Sequence, residues 1–229
     1  MTKRESHATQ EPSRPLHRRK FGGVAHFRAR AAELAEIARS FYHRGWVLGT
    51  SGNFSVVVGR KPLRLAITPT GLDKGTLIPT HILEIDEAAR VVGGKGHPSS
   101  ESRIHLAVVH VRGAGAVLHT HSVWSTLVSD ASASDGGVSL EGFEMLKGLE
   151  GVRTHEHREW LPILQNCQDS AQLVQMVEAT LKQNPAAHGL LLRRHGLYTW
   201  GQSLAEAKRH VEILEFLLEV IGRTRTAGC

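Results

Sequence analysis

The chain reads as an α/β layered domain. Runs of strand length, rich in β-branched and apolar residues, alternate with amphipathic segments of helix length. Several strand pairs are separated only by short Gly/Pro turns, as in hairpins, and no internal repeat interrupts the pattern. With 229 residues, 41% of them hydrophobic, the chain suits one domain with a single core.

The elements follow in order. Residues 1–22 are polar, rich in His and Arg, and carry Pro12 and Pro15, so they read as a flexible basic tail. From Val24 to His43, Ala31, Leu34, Ile37, Ala38 and Phe41 recur at helical spacing and stop before Gly45. GTSGNFS (49–55) is a small-polar loop entering the strand FSVVV; LRLAI (63–67) is the next strand and TPTG (68–71) a turn. ILEID and ARVVGG form short strands. PSSE (98–101) opens a helix running to about Val111, with Ser99 or Ser100 as cap and a carboxylate in the first turn. AGAVLHTH is a strand, SVWSTLV a helix and EGFEMLKG (141–148) a short helix. ILQNC and the helix DSAQLVQMVEATLKQ lead to the apolar strand in HGLLLRRHG, then the strand LYTWG. SLAEAKRHVEILEFLLEVI, capped by Ser203, is a long amphipathic helix. The expected organisation is a tail at 1–22, a catalytic domain at 23–222 and a C-terminal tail at 223–229.

Charge and composition exclude several function classes. The net charge of +6 sits in residues 1–30, where eight Lys/Arg face Glu5 and Glu11; the rest of the chain is neutral. A nucleic-acid partner would want basic residues clustered on the folded part, so none is expected. No apolar run approaches a membrane span, and residues 1–30 lack the apolar core of a secretory signal. Cys167 and Cys229 lie far apart with no C-x-x-C, which fits a reducing, cytoplasmic setting.

With 15 histidines, H-x-H spacing alone carries little weight, and the chain holds two such pairs, HTH at 119–121 and HEH at 155–157. Context separates them. His119 and His121 end an apolar strand, so they share a face and can chelate one cation. His195 ends a second apolar strand and precedes a glycine where backbone can approach closely. His155 and His157 lie among charges and read as a solvated pair. Three neutral imidazoles with an open fourth position suit catalytic zinc, although other divalent metals accept the same ligands. The plainer alternative is three hydrogen-bonded structural imidazoles. GTSGN, TPTG and PSSE together suggest a phosphate cradle of backbone N–H groups and hydroxyls. Glu101 and Glu144 are the carboxylates to weigh for proton transfer, against plainer roles as a helix-cap partner and an i,i+3 partner of Lys147.

In this order, GTSGNFS, ITPTG, PSSE, AVLHTH and RRHGLYTWG resemble the class II aldolase/adducin family over roughly residues 28–221. FEMLKGLEG, LPILQN and RRHGLYTWG look most like its dehydratase branch. The resemblance implies a single three-layer α/β/α domain with a mainly antiparallel central sheet, one divalent metal per subunit, usually Zn2+, and a homotetramer with sites near subunit interfaces. Carried over by position, His119, His121 and His195 become metal ligands. Gly52, Asn53, Thr70, Gly71, Ser99 and Ser100 become the phosphate cradle. Glu144 becomes the leading acid/base residue, and Glu101 the second catalytic carboxylate, the glutamate that in the family's aldolases ligates metal or handles protons. The implied reaction, from methionine salvage, converts 5-methylthioribulose 1-phosphate to 2,3-diketo-5-methylthiopentyl 1-phosphate and water through a metal-held enediolate. The rival readings are a class II sugar-phosphate aldolase, which breaks a C–C bond, and a non-catalytic adducin-like interaction domain.

Overall fold

The computed structural model describes the backbone of residues 17–227 and the side chains of 23–225. Among the described residues, five α-helices, α1 (His17–His43), α2 (Ser102–Arg112), α3 (Val123–Ala131), α4 (Ser170–Gln183) and α5 (Leu204–Ala227), surround a nine-stranded sheet. The strands are β1 (Asn53–Arg60), β2 (Leu63–Ile67), β3 (Leu83–Asp86), β4 (Val91–Gly93), β5 (Ala116–Thr120), β6 (Gly137–Glu141), β7 (Arg158–Leu164), β8 (Gly189–Leu192) and β9 (Gly196–Gly201). Their order is β4-β3-β2-β1-β5-β9-β8-β7-β6. Every neighbouring pair is antiparallel except β7 and β8, which α4 joins as a crossover. The expected mainly antiparallel sheet in an α/β domain is therefore observed.

Strand alternation builds the layers. Val117 of β5, with Leu190, Leu192, Tyr198 and Trp200, packs under α2 and α4. Ala116 and Leu118 pack under α1 and α5, while Leu191 and Leu197 join α3 and α5. The central strands are buried on both faces, which is why they read as unbroken apolar runs.

Three differences from the sequence reading stand out, and two of them have a physical cause. The first helix is entered at His17 rather than Val24, and residues 1–16 lie outside the described residues. The last helix runs past 222 to Ala227, since Arg223 pairs with Glu219 at 2.7 Å and lies over Trp124, and Arg225 bonds Ser132. The β6–β7 hairpin went unassigned: Pro162 weakens the strand signal of β7, and the glycine that opens β6 imitates a turn. Gly137 is needed there, because a Cβ would come within 2.2 Å of the Trp160 ring across the hairpin.

Candidate metal centre and active site

The register puts one pole of the sheet to chemical use. Asn53 opens β1 beside His119 on β5, and Thr120 on β5 faces Leu197 on β9. The ends of β7 and β8 reach the same pole, where Leu164 pairs with Leu192. His119 therefore points to the α2 face, as period-2 alternation requires. His121 follows just past the strand, its N–H held by the Trp46 carbonyl at 2.7 Å. His195 lies in the tight turn between β8 and β9. Its predecessor Arg194 has φ 54°, a strained value for a side chain with a Cβ. Helix α3 holds that conformation: Ser129 Oγ accepts the Arg194 N–H at 3.0 Å, and Asp130 binds both Arg193 and Arg194. The glycine after His195 is obligatory, since a Cβ at Gly196 would sit 2.0 Å from the Thr120 carbonyl oxygen.

The three imidazoles converge. His119 Nε2 lies 2.7 Å from His121 Nε2 and 3.4 Å from His195 Nε2. Glu101 joins them, with one oxygen 3.1 Å from His195 Nε2 and the other 3.7 Å from His119 Nε2. Among the described residues, Glu101, His119, His121 and His195 bring their ligand atoms within 4.8 Å of one another. His119 is fully buried, stacked on Tyr198 with ring centroids 3.8 Å apart, and donates Nδ1–H to the Leu197 carbonyl. That bond fixes its tautomer and leaves the Nε2 lone pair facing the other two rings. Burial, reinforced by the neighbouring His121, pushes His119 well below the ordinary histidine range. Burial and His195 bring His121 down to about 4. Both are thus neutral at pH 7, the state in which imidazole binds a metal.

The donor set fits a divalent ion. Nitrogen lone pairs facing one another at such distances repel unless a proton or a metal ion lies between them. Tetrahedral zinc holds its nitrogens roughly 3.3 Å apart, close to the His119–His195 separation. Burial alone would raise the Glu101 carboxyl, but neighbouring His119 and hydrogen bonds from His195 and Asn53 hold it below the usual carboxylate range. The group is a half-buried anion next to three imidazole nitrogens, suited to balance a positive charge.

A family model for the class II aldolase and adducin N-terminal domain matches residues 32–221. The chain belongs to this family. It is 43% identical over 203 residues to a methylthioribulose-1-phosphate dehydratase of Methylococcus capsulatus, covering 88% of this chain and 96% of that one. A protein of the same name from Sorangium cellulosum is 40% identical over 197 residues, covering 85% and 92%. Among solved structures, L-fuculose 1-phosphate aldolase has the same fold, with a TM-score of 0.72 at 22% identity over 88% of each chain. The class II aldolase family is metal-dependent, and the His–Glu group is where this member can hold an ion.

The three expected polar turns of this class II aldolase domain meet at the same pole. Pro69 and Pro98 form a bridge and Thr70 N–H donates to the His97 carbonyl, joining TPTG to PSSE. The buried Lys74 ammonium donates to the carbonyls of Thr50 and Leu72, joining the GTSGN turn to TPTG. Burial, opposed by Asp73, lowers Lys74 to about 8. Thr70, Gly71 and Ser100 are exposed and Ser99 is half-buried, its hydroxyl accepting the Glu101 N–H. Gly52 is a packing residue: φ is 71°, and a Cβ would lie 2.8 Å from the His119 carbonyl oxygen. Asn53 departs from expectation. It is 4% exposed, and its amide is committed to Glu101 and His105 rather than turned outward to an anion.

Glu144 stands elsewhere. β6 starts at the histidine pole and leaves the sheet at Glu141, at the opposite pole and on the outermost strand. Four strand spacings, about 19 Å, separate β6 from β5. Glu144 is 73% exposed and paired with Lys147 at 2.7 Å, which together with His155 keeps its carboxyl below the ordinary range. Within one chain, Glu144 and the histidines do not meet. The HEH pair also needs correction: His155 is exposed, but His157 bonds the buried Glu159 at 3.0 Å, and Glu159 also pairs with His188.

Sequence reasoning missed Lys74, His105 and the cleft residues Asn166 and Cys167 beside Glu101 and His195. LPILQN, ending an apolar strand in polar residues just as AVLHTH does, was the signal for the last two. A lone Lys in LDKG offered none.

Proposed function

We propose that this chain is a cytoplasmic methylthioribulose-1-phosphate dehydratase of methionine salvage, a hydro-lyase with zinc held by His119, His121 and His195. The observation that carries the reading is the convergence of three remote imidazoles beside an ionised Glu101, in a chain 43% identical to a named dehydratase. A divalent ion in this position supplies Lewis acidity toward the substrate's C2 ketone and so acidifies the C3 proton.

The residues then divide the work. The exposed turn at Thr70–Gly71 and the turn at Ser99–Ser100 receive the phosphate, with Lys74 adding positive charge behind the first. Glu101, ionised and beside the histidines, accepts the C3 proton. Glu144 gives a proton to the departing C4 hydroxyl, which leaves as water. The resulting C3 enol gives up its hydroxyl proton, takes up a proton at C4 and becomes the 2,3-diketone. Because Glu144 lies at the far pole of its own chain, it serves the site of a neighbouring copy in a homotetramer. Leu48, Val123 and Leu127, exposed on the segments flanking His121, support burial of this mouth against another subunit. That burial would lift Glu144 toward a proton-donating range.

Incubation with 5-methylthioribulose 1-phosphate tests the reading. One diketone phosphate and water are expected; two shorter carbon fragments would instead identify an aldolase.

A further inference from the structure

A buried relay runs behind Glu101. Glu101 and His105 stand one turn apart at the start of α2, and Asn53 and Ser55 stand two apart on β1. All four side chains therefore meet between helix and sheet. Ser55 Oγ lies 2.7 Å from His105 Nδ1, His105 Nε2 bonds Asn53 Oδ1, and Asn53 Nδ2 donates to Glu101 Oε2 at 2.5 Å. Ser55 and His105 have no exposed surface.

The proton positions follow from the partners. An amide oxygen only accepts, so His105 Nε2 carries hydrogen. Burial, against a smaller opposing effect of Glu101, brings this imidazole down to about 4, so it is neutral and Nδ1 accepts from the Ser55 hydroxyl. With its oxygen fixed on His105, Asn53 must turn its NH2 toward Glu101. The flipped amide would set oxygen against a carboxylate.

We propose that His105 is a positioning residue of the reaction centre: its Nε2–H locks the Asn53 amide, which orients the Glu101 carboxylate toward His119 and His195. This deepens the dehydratase reading and rests on it for activity alone; the side chain of Asn53 serves Glu101 rather than the phosphate. A side chain that accepts from a hydroxyl and donates to an amide in a closed space is required here, and leucine does neither.

The test compares the full-length chain with His105→Leu and His105→Gln. The readouts are side-chain nitrogen NMR of wild-type His105, cobalt(II) affinity and visible spectrum after metal removal, and kcat and KM with 5-methylthioribulose 1-phosphate. The Nε2–H tautomer is expected in the wild type. His105→Leu is expected to lower cobalt affinity or kcat by roughly 10–100-fold with KM unchanged. His105→Gln, which retains an N–H donor, should recover most of that loss. An Nδ1–H tautomer, a glutamine variant no better than leucine, or a loss confined to KM would overturn the assignment. The tautomer is read on wild-type protein, so it decides even if the leucine variant does not fold. A wild type that fails to turn over the substrate rejects the dehydratase reading, while tautomer and cobalt binding still judge His105.

Discussion

Each functional side chain at the histidine pole owes its role to a neighbour that fixes it. The Leu197 carbonyl sets the His119 tautomer, and Arg194, strained at φ 54° and held by α3, aims His195. His121→Ala should remove a third of the nitrogen donors, and elemental analysis should find its bound metal and its activity lost together. Glu144→Gln should retain metal and lose roughly 10²–10⁴-fold in kcat, the usual range for a positioned acid or base; wild-type turnover would remove Glu144 from the reaction. The three imidazoles were legible because each ends an apolar run at a polar boundary, a pattern local to the chain. Asn53 was misjudged and His105 passed over because their partners lie 48 and 52 residues away across the helix–sheet interface, and local spacing carries no trace of that pairing.

Among the elements, α5 and β5 form a second brace. While His119 and His121 face one side, Thr120 faces the other, where its hydroxyl donates to Glu215, a carboxyl with almost no exposure on α5. Burial raises Glu215 from 4.5 to about 7. Below pH 4.5 the carboxyl is protonated whether the chain is folded or not. Between 4.5 and 7 the unfolded chain releases the proton first, so the folded state binds more protons and stability falls as pH rises. The full difference, on the order of 3 kcal/mol, is reached above pH 7. Glu215→Gln should therefore flatten denaturation midpoints between pH 4.5 and 7 and exceed wild-type stability at pH 8. A parallel fall in both proteins would contradict this account of the brace. The helices and β1, β2, β5, β8 and β9 were legible from period, but the cap expected at Ser99 or Ser100 was misplaced: Glu101 is the N-cap of α2 and makes no side-chain cap bond. The β6–β7 hairpin was not, because its glycine and proline answer to cross-strand packing against Trp160.

At the scale of the whole molecule, the sheet order sets what one chain can do alone. Its histidine pole and its Glu144 pole face apart, so the proposed reaction, if it uses Glu144, draws on two copies. Mixing Glu144→Gln with His121→Ala subunits, each inactive alone, should restore about a quarter of wild-type activity as sites with one good histidine set and one good glutamate assemble at random. No recovery would put both groups in one chain's site and contradict the shared arrangement. The proposed reaction depends on one ion held by the three imidazoles, and its stoichiometry is the most direct measure. Metal analysis of purified wild type, His119→Ala and His195→Ala should find about one divalent ion per chain in the first and almost none in the others. Equal metal in all three would contradict the convergence of these imidazoles on a single cation.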